Sequence, residues 1–203
     1  MSASPRPPPR AVIFDLDGTL TEPLLDFDAM RAEIGLPAGP ILEQLAHADA
    51  ETRARADVIL RRHELDAIAR ATLAEGCAEV LAHLAARAIP AAILTRNVRE
   101  VVDAFTRAFG FSFAAVYTRE DGPHKPSPAG VLALCQKMGF PPAETLVVGD
   151  YKFDILAGRA AGCATALVTT TYNPAPHELT EWGPPDVVVA SLRELLPWFW
   201  PDG

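Results

Sequence analysis

The run Ala11-Val12-Ile13-Phe14-Asp15-Leu16-Asp17-Gly18-Thr19-Leu20 decides the fold. Its first four residues are all apolar. An uninterrupted apolar run predicts a strand covered on both faces, as in a parallel sheet flanked by helices. The two aspartates and Gly18 then turn the chain. In such sheets ligands bind beyond the carboxyl ends of the strands, which is where Asp15 and Asp17 stand. Alone, Asp-x-Asp-Gly also reads as a solvated turn, so the rest of the chain must decide.

Five more short apolar runs follow, at 91–94, 114–117, 145–148, 164–168 and 186–189. Helical spacing fills most of the gaps. Val80, Leu81 and Leu84 mark a helix at 77–87, and Val101, Val102 and Phe105 one at 98–109. Val131, Leu132 and Leu134 mark 128–138, and Phe153, Ile155 and Leu156 mark 151–161. Strands alternating with helices predict βαβ units, hence an α/β fold with a doubly wound, Rossmann-like parallel sheet.

One gap is too long. Seventy-six residues separate Phe14 from Ala91, far more than one crossover needs. The helix at 77–87 is the crossover. Before it, 26–34 reads as a helix, 35–40 as a turn, and 49–74 as a long amphipathic stretch. Val58, Ile59, Leu65, Ile68 and Leu73 supply its apolar stripe, with many arginines opposite. The expected organisation is a core at 11–20 and 76–203 with a small helical cap at 21–75. Residues 1–10 hold four prolines and two arginines and read as a disordered lead-in.

Other chemistry-bearing residues fall at the other strand ends. Gly149-Asp150-Tyr151-Lys152-Phe153-Asp154 follows the 145–148 run, and its two aspartates share one helical face. Helix N-terminal capping accounts for Asp150, but poorly for Asp154. If these carboxylates meet Asp15 and Asp17, repulsion of about 4 kcal/mol per pair at about 4 Å calls for a hard cation. Mg²⁺ is the usual one with oxygen ligands. Thr95-Arg96-Asn97 ends the 91–94 run. Thr95 offers a hydroxyl and Asn97 an amide. Asn97 with Glu100 also fits a capping box, and the two roles are compatible. Lys125, one of three lysines against 15 arginines, sits in a proline-rich turn where it can neutralise carboxylate or phosphate charge. Its neighbour His124 reads as a loop residue.

Taken in order, DxDGTL, Thr95, Lys125-Pro126 and GDxxxD resemble the haloacid dehalogenase superfamily of hydrolases, over about residues 11–190. The insertion resembles the helical cap of the superfamily's first cap class. The resemblance implies Asp15 as nucleophile, forming an aspartyl-phosphate, and Asp17 as general acid and base. It implies Thr95, Arg96, Asn97 and Lys125 as the substrate-binding set. Mg²⁺ would be held by Asp15, the Asp17 carbonyl and Asp150, with Asp154 either a ligand or an orienter of Lys125. True dehalogenases lack the second aspartate, so phosphoryl chemistry is expected. The favoured reaction is hydrolysis of a small phosphorylated metabolite. Phosphomutase activity and a non-catalytic phosphate-binding module are the alternatives.

Composition narrows the partners. A net charge of −8 argues against binding a nucleic-acid backbone or an anionic membrane surface. No apolar run approaches the roughly 18 residues of a membrane span. Cys77, Cys135 and Cys163 form no CxxC pair and read as buried thiols in a reducing, cytoplasmic compartment. Arg53, Arg55, Arg61 and Arg62 read either as a solvated helix face or as a site for a second anionic group. The apolar stretch Leu195–Trp200 either packs back on the core or forms a dimer contact, so a monomer or homodimer is expected.

Overall fold

The computed structural model describes residues 8–170 and 182–199. Strand β1 (Ala11–Phe14) lies inside a six-stranded sheet with β2 (Ala91–Leu94), β3 (Ala115–Tyr117), β4 (Thr145–Gly149), β5 (Ala164–Val168) and β6 (Val187–Val189). The order is β3-β2-β1-β4-β5-β6 and every pairing is parallel. Strand order reverses between β1 and β4, the switch point where a doubly wound sheet opens a crevice. Phe14 lies in register with Ile93 of β2 and Val148 of β4. Asp15, Thr95 and Asp150 therefore emerge side by side at one edge.

The continuous apolar runs have the expected cause. Alternate residues of β1 to β4 enter two different cores. Val12, Phe14, Ile93, Leu146 and Val148 pack with α4 (Cys77–Ala86) and α5 (Arg99–Phe109). Ile13, Ala92, Leu94 and Val147 pack with α6 (Ala129–Met138) and α7 (Lys152–Ala161). Ile13 and Phe14 are both wholly buried, each worth about 1.5–3 kcal/mol of transfer free energy.

Between β1 and α4 lie α1 (Phe27–Ile34), α2 (Ile41–Leu45) and α3 (Ala50–Ile68). Met30, Ile34, Leu45, Ile59 and Leu60 form a separate small core there. Two linkers join this unit to the sheet and pair with each other. The Glu22 N–H donates to the Thr72 carbonyl and the Ala74 N–H to the Leu20 carbonyl, both at 3.0 Å. That pairing is why the helix expected over 49–74 stops at Ile68: the later backbone groups are used in the ribbon. The stripe also differs from expectation. Val58 is 70% exposed, and the buried face of α3 is Ala56, Ile59, Leu60, Glu64, Ala67 and Ile68.

The lead-in expected through Arg10 ends earlier. The Arg10 N–H donates to the Glu144 carbonyl at 2.8 Å, and its guanidinium pairs with the Glu144 carboxylate. Residues 1–7 lie outside the described part. At the other end, α8 (Leu195–Phe199) buries Leu195 against the first sheet face. The packing expected of Trp200 lies outside the described residues. All three cysteines are free and buried. Among the described residues no helix is long and apolar enough to cross a membrane.

Candidate active site

Two glycines set the backbone at the switch point. Gly18 has φ +76°, and a Cβ there would overlap the Asp150 carboxylate. A Cβ at Gly149 would overlap the Asp154 carboxylate in the same way. Only glycine lets these two turns approach the acidic side chains so closely.

Lys125 sits among the carboxylates. Its Nζ lies 2.6 Å from Asp15 Oδ1 and 2.6 Å from Asp154 Oδ1, and its side chain is 3% exposed. The loop that carries it follows β3 and is folded by Asp121, whose carboxylate accepts the Thr118 N–H at 2.7 Å. Burial alone would depress the Lys125 pKa. The attraction of Asp15 and Asp154 overcomes this and raises it, so the ammonium form is held. Asp154 lies in the first turn of α7, where its Oδ2 accepts the Tyr151 N–H at 3.1 Å. Both of its oxygens are therefore engaged, one on the helix end and one on Lys125.

Asp15, Asp150 and Asp154 each offer an oxygen within 4.8 Å of the others. Burial pushes the Asp150 pKa well above its ordinary value, and repulsion from Asp15 and Asp154 adds to the rise. Asp154 is pushed up to about 6, mainly by burial. Three carboxylates against one lysine leave the cluster short of positive charge, and its all-oxygen donor set fits a hard divalent cation.

Asp17 lies beside this cluster, and the Asn97 side-chain amide donates to its Oδ2. Burial raises its pKa to about 6; the Asn97 hydrogen bond lowers it in part and the Asp15 charge raises it. A carboxyl group with that pKa can both give and take a proton near neutrality. Thr95 is 3% exposed, and its Oγ1 accepts the Asn97 N–H at 3.1 Å. Its O–H thus remains a donor at the strand end. The capping box expected from Asn97 and Glu100 does not form. The α5 N-cap is Val98, with no side-chain cap, one residue beyond Asn97, whose amide nitrogen donates to Asp17.

Arg96 points to the inserted helical unit rather than to the carboxylate cluster. Its Nη2 donates to both Glu43 carboxylate oxygens, at 2.8 and 2.7 Å, and its guanidinium lies 4.5 Å from the Phe153 ring centre. Sequence reading missed Glu43 because α2 carries too short a pattern to show. It also missed a second pair between the inserted helices and the sheet unit, Glu64 of α3 with Arg119 beyond β3. A signal for Glu64 was present: a carboxylate in the apolar row of Leu60 and Ala67. Burial pushes the Glu64 pKa up to about 7, although Arg119 opposes the rise. The proposed second-anion arginines are used elsewhere. Arg55 donates to the Ile34 carbonyl at 3.0 Å, Arg61 to Glu100 at 2.7 Å, Arg62 to Glu33 and Arg53 to the Ala48 carbonyl.

The Glu64 shift carries a sign. An acid whose folded pKa is raised binds its proton more tightly when folded, so its contribution is full below about pH 4.5 and is lost as pH rises to about 7. Relative to Glu64→Gln, the wild-type chain should therefore lose unfolding free energy across that window, at up to about 1.4 kcal/mol per pH unit. Urea unfolding of both chains at pH 4.5, 6 and 7.5 checks this. A difference that stays constant with pH would contradict it.

Residues 12–168 match the family described as haloacid dehalogenase-like hydrolase. An Arabidopsis thaliana haloacid dehalogenase-like hydrolase domain-containing protein is 34% identical over 92% of this chain and 82% of its own. An N-acetylmuramic acid 6-phosphate phosphatase from Pseudomonas putida is 31% identical, covering 92% and 94%. A phosphoglycolate phosphatase from Yersinia pestis is 31% identical, covering 93% and 92%. The crystal structure of a hydrolase from Pseudomonas syringae superposes with a TM-score of 0.79 at 23% identity, over 92% of this chain and 95% of that one. The sheet order, the acidic cluster at its switch point and the family match over most of the chain lead to one conclusion: this chain belongs to the haloacid dehalogenase-like hydrolase family.

Proposed function

We propose that the chain is a phosphatase that hydrolyses a small phosphate monoester through an aspartyl-phosphate on Asp15, with Mg²⁺ as its metal. The observation that carries this reading is the convergence of Asp15, Asp150, Asp154 and Lys125 at one sheet edge, with Asp17 alongside. Asp15 is the most exposed carboxylate of the triad and is positioned to attack phosphorus. A bond forms from its carboxylate oxygen to phosphorus as the ester P–O bond breaks. Asp17, held by Asn97, gives its proton to the departing alcohol oxygen. Asp17 then takes a proton from water as the water oxygen bonds to phosphorus and the Asp15 acyl phosphate opens. Thr95 and Lys125 donate to the phosphoryl oxygens. Asp15, Asp150 and the Asp17 carbonyl would hold the metal, which supplies positive charge against the phosphoryl oxygens. Asp154 holds Lys125 in place.

Residues 21–75 act as a cap that selects the alcohol, above a catalytic core formed by 11–20 and 76 onward. Two of the relatives are named for esters of acidic alcohols, phosphoglycolate and N-acetylmuramic acid 6-phosphate. This supports a small acidic phosphorylated metabolite as the substrate. Three buried thiols support a reducing, cytoplasmic setting.

The test is phosphate release from an aryl phosphate with and without a chelator. Activity should fall with EDTA and return with Mg²⁺. Full activity in excess EDTA would remove the metal assignment. Release of inorganic phosphate, rather than isomerisation of a sugar phosphate, separates this reading from a phosphomutase.

A further inference from the structure

Two arginines follow neighbouring strands at the site edge, Arg96 after β2 and Arg119 after β3, and each is held by a carboxylate from the cap. The two pairs differ in one decisive respect. Arg119 and Glu64 are 9% and 5% exposed. Separating them would strand a buried charge, at a cost of several kcal/mol. That pair is a fixed fastener. Arg96 and Glu43 are 21% and 36% exposed. Glu43 can return to water, where exposed ion pairs are worth little.

Arg96 would remain in place if Glu43 left. Its guanidinium is stacked on Phe153, 4.5 Å from the ring centre, and this contact does not involve Glu43. The residue also sits between Thr95, a phosphoryl donor, and Asn97, which holds the proton-donating Asp17. Phe153, which stacks on Arg96, adjoins Asp154, and His124, which faces Glu43, adjoins Lys125, so the Arg96–Glu43 pair borders the carboxylate cluster. His124 lies beside the pair, its Nδ1 3.9 Å from Glu43 Oε1 while donating to the Lys125 carbonyl at 2.9 Å.

Resting on the hydrolase reading, we infer that Glu43 is a built-in stand-in for a carboxylate on the substrate's alcohol, which displaces it from Arg96. The substrate class is then the phosphate monoester of a hydroxy acid. An incoming carboxylate replaces one Arg–carboxylate pair with another, and Glu43 regains solvent. A neutral alcohol offers no replacement, so it must either fit beside Glu43 or leave Arg96 without a partner. The device therefore selects acids over neutral isosteres.

The experiment compares phosphoglycolate with phosphoglycolamide, a near-isosteric neutral ester, under saturating Mg²⁺. The readout is the ratio of kcat/KM for acid over amide. Wild type should favour the acid. Arg96→Gln should lower that ratio about 10- to 100-fold, as expected for one charge-assisted hydrogen bond. Arg96→Lys should keep part of it, since the charge remains while the planar fork is lost. Glu43→Gln should raise the ratio, because the internal competitor is weakened. A wild-type ratio near one, a ratio unmoved by Arg96→Gln, or a ratio lowered by Glu43→Gln would each overturn the inference. An aryl phosphate is run in the same preparation. If it is hydrolysed without selectivity for the acid, only this inference fails. If no ester is hydrolysed, the hydrolase reading fails with it.

Discussion

Asp17→Asn, mixed with an activated aryl phosphate and quenched in acid, is expected to carry phosphate on the peptide containing Asp15. A good leaving group needs little protonation, so attack by Asp15 proceeds without the acid. The second step is slowed, because water has lost its general base. Asn97 hydrogen-bonds Asp17, and burial raises the Asp17 pKa to about 6, so the wild-type side chain is suited to both proton transfers. On esters with poor leaving groups the variant should lose about 10²- to 10⁴-fold in kcat. Asp15→Asn should be inactive and carry no phosphate. The acyl phosphate should be labile to hydroxylamine and alkali. A burst of leaving group from Asp17→Asn without label on Asp15 would refute covalent catalysis and point to direct attack by water.

Lys125→Met is expected to damage both stability and turnover. The ammonium lies 2.6 Å from Asp15 and from Asp154, and among the described residues no other cation pairs with those two carboxylates. Methionine fills similar volume without the charge. Removing one partner from a buried pair leaves the other uncompensated, at about 3–5 kcal/mol. Urea unfolding in chelator at neutral pH should show this loss. In the proposed mechanism the same group steadies the phosphoryl oxygens, so kcat should also fall about 10²- to 10³-fold. Wild-type stability together with wild-type turnover would show that Lys125 is an ordinary loop cation.

Legibility followed the range of the interaction. The sheet could be read because each strand announces itself locally: Ala11–Phe14 is apolar throughout, since its alternate residues enter two cores. Asp15, Thr95, Lys125 and Asp150 could be read because each follows a strand end, and strand ends in this topology share one edge. The insertion could be read from length alone. The helix ending at Ile68 could not, because its stop is set by pairing with residues around Leu20.

Partner choice belonged to the tertiary structure. Asn97 carries a local capping pattern, and a cap is worth about 1 kcal/mol. The fold brings it a carboxylate from Asp17, 80 residues away, and hydrogen bonds to charged groups are worth about 1.5–3 kcal/mol. That nonlocal bond forms, and the N-cap position falls one residue on, at Val98. Glu43 and Arg96 are 53 residues apart and Glu64 and Arg119 are 55 apart. No local periodicity encodes where a cap comes to rest. The amino-acid order alone determined which residues stand at the carboxyl edge of the sheet, because strand termination is local. Only the packed cap decided which carboxylate faces each arginine, because those contacts depend on how two separate hydrophobic cores lie against each other.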